Sequence, residues 1–395
     1  MTTSVGARAT GAPERVPVRN WLAVFAVALG TFLVVTVEGL PMGLLTSIGT
    51  GLRVSDAEVG LMVTVSGLVA SVTAALLPVA IRRTDRRLVL LGLIALALLA
   101  NAVSAVTPNY PVLMAARVLV GVSIGGFWSL AAGLGVRLVP AAHVAKATSL
   151  IFFGAMAANV LGVPAGTLIG GLAGWRVAFG VIAGVALVLV VALVFLLPTM
   201  PATEPVRLST LARQLRTPAV RVGVLATFLL VAGHYGAFTF VSPILQHIAG
   251  VSATAVGPLL LAYGVAGMIG NLVAGPRAAR NVRGTIVAVS IALAAILALI
   301  PVLGHNPVTG SVLLILWGFA FGGLPVSVQT WIIKAAPNGV EAATGLNTCM
   351  FNLAIAVGAL VASSVVGAVS VAGVLFIAAG LVVLTSMAVW GTRKF

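Results

Sequence analysis

An all-α membrane protein of twelve transmembrane helices, arranged as two pseudo-symmetric six-helix halves, is the fold that this sequence predicts. Three observations carry the prediction. Of 395 residues, 61% are hydrophobic and only 7% are charged, too few charges to cover a water-soluble domain. Apolar runs of about 20 residues recur along nearly the whole chain, and each can cross a hydrocarbon core as a helix. The two halves of the chain also repeat one another at an almost constant offset.

The expected spans are 21–48, 57–81, 88–106, 110–137, 145–170, 173–198, 218–243, 254–276, 284–303, 307–333, 341–367 and 371–392, each an apolar run bounded by polar or basic turns. Residues 1–20 read as a polar tail with Arg8, Arg15 and Arg19. Residues 21–198 form the first half and 218–395 the second. Between them, 199–217 reads as a linker, because Pro, Glu, Thr and Arg interrupt the apolar pattern there.

An even number of spans puts both termini on one side. The basic residues then sort sharply. Nineteen of the 22 fall on the side of the termini, in the loops with Arg82, Arg83, Arg86 and Arg87, with Arg137 and Lys146, with the linker arginines, and with Arg277, Arg280 and Arg283. Arg53 and Arg176 fall on the other side, and Arg117 lies inside the fourth span. The bias places both termini in the cytoplasm. The net charge of +15 is therefore a topology signal, and nucleic acid is not an expected partner.

The repeat is specific in register. Gly60 pairs with Gly257, Gly67 with Gly264, Arg83 with Arg280 and Arg86 with Arg283, all 197 positions apart. Gly121, Gly125 and Gly126 pair with Gly318, Gly322 and Gly323 at the same offset. Parallel repeats of this kind imply a pseudo-two-fold axis along the membrane normal, with a midplane site between the halves.

Glu38 is the residue that asks for a function. The chain has seven acidic residues, and this one alone sits inside a long apolar run, Leu22 to Leu45. A carboxylate there is costly, and the default reading is a proton carrier, a substrate contact, or both. The alternative is a carboxylate paired with a cation or hydroxyl to hold the first span. Its counterpart 197 positions on is Tyr235, beside His234, so the second half carries no matching acid.

Other classes find little support. No lysine follows a Gly-x-x-x-x-Gly sequence, so there is no phosphate-binding ATPase loop. The lone Cys349 and scattered histidines give no metal-ligand spacing. No catalytic constellation is recognisable, so the chain reads as no enzyme and needs no cofactor.

Arg117-Val-Leu-Val-Gly121-Val-Ser-Ile-Gly125-Gly126 resembles the helix 4 motif of the major facilitator superfamily, in its drug:proton antiporter group. Gly162-Val163-Pro164-Ala165-Gly166 resembles that group's Gly-Pro antiporter motif, with Val163 as an added residue. Thr84-Asp85-Arg86-Arg87 resembles the end of the loop 2–3 motif, although Pro78 and Arg82 stand where its Gly and acid belong. Val37-Glu38-Gly39-Leu40-Pro41, Gly125-Gly126-Phe127-Trp128 and Arg137-Leu138-Val139-Pro140 resemble bacterial purine-ribonucleoside exporters, with sugar-efflux relatives close behind.

The resemblance implies proton-coupled efflux of small organic molecules (nucleosides, sugars or antibiotics) by alternating access, from a monomer in the bacterial cytoplasmic membrane. A proton-independent facilitator or importer on the same fold is the alternative. It also implies roles. Glu38, Arg117 and His234 are the proton-coupling candidates. Glu38, Trp128, Asn159, Phe238 and Gln329 are the substrate candidates, since rings stack and amides bond. Asp85, Arg86, Arg87, Gly162, Pro164 and Gly166 are the gating candidates. Arg117 reads equally as an arginine that caps carbonyls or snorkels, and packing alone accounts for most of the glycines.

Overall fold

A computed structural model describes residues 16–81, 84–140, 143–201, 214–337 and 340–391. The centre of the expected linker, most of the N-terminal tail, and Arg82, Arg83, Arg393 and Lys394 lie outside them. Twelve helices longer than ten residues organise the rest: α1 (Val18–Leu52), α2 (Asp56–Ala80), α3 (Arg86–Val106), α4 (Tyr110–Leu138), α5 (Val144–Ala157), α6 (Val163–Ala173), α7 (Trp175–Leu196), α8 (Pro218–Thr239), α9 (Ala253–Leu303), α10 (Pro307–Ala335), α11 (Val340–Ala368) and α12 (Val371–Trp390).

These helices make the twelve predicted spans, with two adjustments. The fifth span is α5 and α6 joined by a π-turn, Ala158–Gly162. Pro164 lacks an N–H, and the chain absorbs the missing bond by widening the helix just before it. The Val163 N–H accordingly reaches back to the Ala158 carbonyl.

The second adjustment is α9. At 51 residues it would run about 76 Å if straight, far more than a bilayer core. It breaks at Asn281 (φ −142°, ψ 78°) into the eighth and ninth spans. The Asn281 side chain caps the second piece by accepting from the Gly284 N–H at 2.9 Å.

Helix ends carry the signals that define them. Ser55 and Glu58 form a reciprocal capping box at the start of α2. Asn109, Asn306 and Ser370 cap α4, α10 and α12. Arg53 closes α1 in the left-handed conformation (φ 58°).

One face of the bundle gathers the start of α1 and the ends of α4 and α7. There Asn20 donates to the Leu138 carbonyl at 2.8 Å, and Arg19 donates to the Phe195 carbonyl at 3.3 Å. It is the terminal face; the α1–α2 turn lies on the opposite face.

Glycine seams hold the spans together. A side chain on Gly121 or Gly125 would strike the Ser66 and Ala70 carbonyls of α2. One on Gly318 or Gly322 would strike the Tyr263 and Gly267 carbonyls of α9. Every member of the second set lies 197 positions after its counterpart, so the sequence repeat is a repeat of contacts.

The first and fifth spans run parallel in strict register: Ala28 with Gly154, Thr36 with Gly162, Leu40 with Gly166 and Leu44 with Gly170, each 126 apart. Ala232 of α8 meets Gly358 of α11 at the same separation.

Candidate functional site: the seam around Glu38

Glu38 sits past the middle of α1 and is half-buried. Its carboxylate has no hydrogen-bond or ion-pair partner among the described residues. The small face of α1 (Thr36, Gly39, Leu40, Gly43) is pressed against the fifth span, where Gly39 meets Val163 and Gly43 meets Thr167.

Across the seam, Tyr235 of α8 lies within electrostatic range of Glu38. The two residues are repeat equivalents. The pseudo-two-fold thus brings an acid and a phenol into the same neighbourhood, where a perfect repeat would have set two like groups together.

Arg117 is 1% exposed. One guanidinium nitrogen points to the Val37 carbonyl at 3.5 Å, and the Phe179 ring lies 5.2 Å from the guanidinium carbon. Its Nε and Nη2 have no protein partner. The arginine therefore touches the backbone beside Glu38, inside the first half, without pairing with the carboxylate. The carbonyl-capping geometry foreseen for it is present; snorkelling is not.

His234 belongs to an aromatic shelf. It is 1% exposed and stacks on Phe321 at 3.3 Å and 6°, with Phe238 at 5.3 Å on a nearly parallel plane. The Trp317 indole N–H donates to its Nδ1 at 3.1 Å. An accepting Nδ1 carries no proton, which fixes the neutral tautomer with hydrogen on Nε2.

Phe238 in turn stacks on Tyr263 at 4.9 Å, and Tyr235 meets Phe321 and Phe351 edge-on at 6.0 Å each. The Tyr263 hydroxyl is buried without a protein partner. Trp317, Phe321, Phe351 and Tyr263 thus complete a surface of which the sequence reading singled out His234 and Phe238 as site residues. The signal was available in the i, i+4 pairs His234/Phe238 and Trp317/Phe321, which put two rings on one face of each helix.

The remaining candidates are dispersed. Trp128 is half-buried against Phe152, with ring centroids 5.7 Å apart. Asn159 is exposed on the π-turn, and its amide donates to its own helix at Ala155, 3.0 Å away. Gln329 donates to the Thr344 hydroxyl at 3.1 Å.

Asp85 caps α3 and also accepts from the Met200 N–H at 2.9 Å. Arg86 donates to the carbonyls of Ile81 and Thr84, and Arg87 to that of Val194. All three residues bond within the first half, and Asp85 and the Arg86 N–H also bond Met200 at the start of the linker.

Gly162 and Gly166 form the wall against α1, meeting Thr36 and Leu40, and Pro164 is buried in the same span. On the other side of that span, the backbone of Asn159 and Val160 lies directly against Gly264 of α9.

Contacts between the halves run from mid-membrane to the opposite face. Gly257 abuts the Leu168 backbone and Gly67 the Ala356 backbone. Ser71 donates to the Cys349 carbonyl at 3.3 Å, and the hydroxyls of Thr46 and Ser242 lie 3.3 Å apart.

The family model described as Major Facilitator Superfamily matches residues 27–359. A protein of Pseudomonas aeruginosa named transcription regulatory protein OpdE is 36% identical over 86% of this chain and 85% of its own length. The purine ribonucleoside efflux pump NepI of Salmonella paratyphi B is 32% identical over 94% of this chain and 93% of its own. Among solved structures, the nucleoside transporter NupG superposes with a TM-score of 0.77 at 16% identity, covering 94% of this chain and all of that one. The xylose transporter XylE from E. coli superposes at 0.73 with 15% identity, over 95% and 98%. Twelve spans in two repeated halves, an unpaired acid at the seam between them and a family match across most of the chain lead to one conclusion: this chain belongs to the Major Facilitator Superfamily.

Proposed function

We propose that the protein is a proton-coupled exporter of small organic molecules, with purine nucleosides the first class to test. The observation that carries the reading is Glu38, a partnerless carboxylate at the seam between the halves, facing Tyr235. A group so placed exchanges a proton with whichever side the seam opens to. Substrate binds between Glu38 and the aromatic shelf of the second half, where a planar base stacks on rings and bonds to a carboxylate or phenol.

The distribution of basic residues supports a cytoplasmic terminal face, and in this reading the protein takes up substrate from that face in an alternating-access cycle. The energy is sufficient: a proton crossing a 100 mV potential supplies about 2.3 kcal/mol. The name of the NepI relative, 32% identical along 94% of the chain, supports the choice of substrate class. Trp128, Asn159 and Gln329 line the path to the site in this reading. Asp85, Arg86 and Arg87 anchor the linker so that the first half moves as a block.

The test is transport of radiolabelled purine nucleosides, sugars and a lipophilic antibiotic in proteoliposomes with imposed pH gradients, in wild type and Glu38→Gln. Concentrative transport that follows the gradient and collapses in the variant is expected. Transport indifferent to the gradient, with Glu38→Gln fully active, overturns the reading and leaves a facilitator.

A further inference from the structure

The opposite end of the seventh span is built differently from its other eleven neighbours. Helix α8 stops at Thr239, Phe240 leaves helical geometry (φ −103°, ψ 22°), a short turn follows at Val241–Pro243, and a π-turn covers Ile244–Ile248. Gly250 then takes φ 69°, a left-handed conformation suited to glycine. Three departures from the α-helix within about ten residues make this segment an articulated cap on α8.

Its side chains reach the first half. Ser242 meets Thr46 of α1, and Gln246 donates to Ser242 at 2.7 Å. Phe240 fills the space over Gly60 of α2. At the rim, His247 Nδ1 lies 4.0 Å from a carboxylate oxygen of Asp56, the one ion pair among the described residues.

We infer that Asp56 and His247 form a pH-sensitive latch that holds the two halves together on the face opposite the termini. The pair bridges the halves at the first residue of α2, and it exists only with His247 protonated and Asp56 ionised. Imidazole is the side chain whose charge changes between pH 5 and 8. Acid on that face therefore favours the shut seam, and alkali releases it.

The other charged or titratable groups around this end are accounted for. Glu58 is taken up by the backbone and hydroxyl of Ser55, and Tyr110 donates to the Glu58 carbonyl. Arg176 donates to the Thr107 carbonyl at 3.1 Å. Arg53 closes α1, and His305 stands exposed in the α9–α10 turn. His247 is the ion-pair partner of Asp56.

The sign suits the cycle proposed above, on whose topology the assignment of this face to the exterior rests. External acid loads the proton and also shuts the outer end, which commits the loaded protein to turn inward. The pair is half-exposed, so its expected effect is modest, up to about fivefold in the ratio of closed to open.

The test measures distance, which keeps it independent of whether any chosen substrate is carried. Spin labels go on Thr50→Cys of the first half and His305→Cys of the second, in a Cys349→Ser, Glu38→Gln background. That background removes Glu38, the acid of the proposed cycle, and the His305 change removes the neighbouring imidazole. The short-distance population is expected to rise two- to fivefold between pH 8 and pH 5.5. The rise is expected to vanish in His247→Gln and in Asp56→Asn. His247→Lys is expected to hold the short distance at both pH values. A distance distribution flat with pH in the parent, or a pH response that survives both neutral substitutions, overturns the latch.

Discussion

The two halves share a backbone plan and differ in chemistry. Contact for contact the glycine seams agree: Gly121 and Gly125 lean on α2 as Gly318 and Gly322 lean on α9. At the candidate site the agreement stops. Glu38 of the first half answers to Tyr235 of the second, and buried Arg117 answers to buried Leu314. The first half carries membrane-embedded charge; the second carries the His234, Phe238, Tyr263, Trp317 and Phe321 shelf. Repeated scaffolding thus sits beside divided labour. In our proposal one half handles the proton and the other handles the ring of the substrate.

Four experiments break or sharpen that division. The largest effect belongs to Glu38→Gln. Losing one coupled proton at 100 mV removes about 2.3 kcal/mol of drive, or about 50-fold in the gradient sustained. Steady-state nucleoside accumulation in vesicles reads this, and counterflow exchange without a gradient should persist.

Next comes Phe321→Ala. It removes a ring stacked on His234 and should weaken nucleoside binding by about tenfold, on the scale of aromatic-pair energies with lost area added. Calorimetric titration checks it, with a sugar ligand as the contrast. If sugar and nucleoside weaken equally, the shelf does not select for rings.

Tyr235→Phe deletes a hydroxyl within electrostatic range of Glu38. We expect a shift in the pH profile of transport and a loss of about 1 kcal/mol in substrate affinity, the worth of one hydrogen bond. An unchanged pH profile would detach the phenol from the acid.

The smallest effect is a structural one. Trp317→Phe removes the donor to His234 and should destabilise the second half by about 1 kcal/mol, read as a lowered melting temperature in detergent.

Much of the architecture was legible in the chain, because composition, span length and a 197-residue repeat are all one-dimensional signals. The π-turn of the fifth span was half legible: Pro164 announces a fault, but only packing against α1 and α9 shows that the helix widens rather than kinks. The break at Asn281 falls among Arg277, Arg280 and Arg283, just after Pro276, in the loop where the eighth and ninth spans had to part.

The candidate site was legible where an apolar background made a residue stand out, as with Glu38 and Arg117. It was illegible where membership depends on who stacks with whom. Trp317 and Phe321 look like ordinary lipid-span aromatics until α8 and α10 are brought together. Asn159 shows the converse: a polar residue in a span, it serves its own helix, and its backbone is what meets Gly264. Asp56 and His247 were invisible as a pair, since 191 positions and the seam between the halves separate them.

The seam where Asn159 and Val160 meet Gly264 is made of main chain. Its counterpart at Gly67 and Ala356 is nearly so. A bearing surface with no side chains gives selection little to alter there, whereas the shelf facing Glu38 is made entirely of exchangeable groups. In our proposal, ring substitutions on the shelf would change cargo without disturbing the main-chain bearing on which the halves turn.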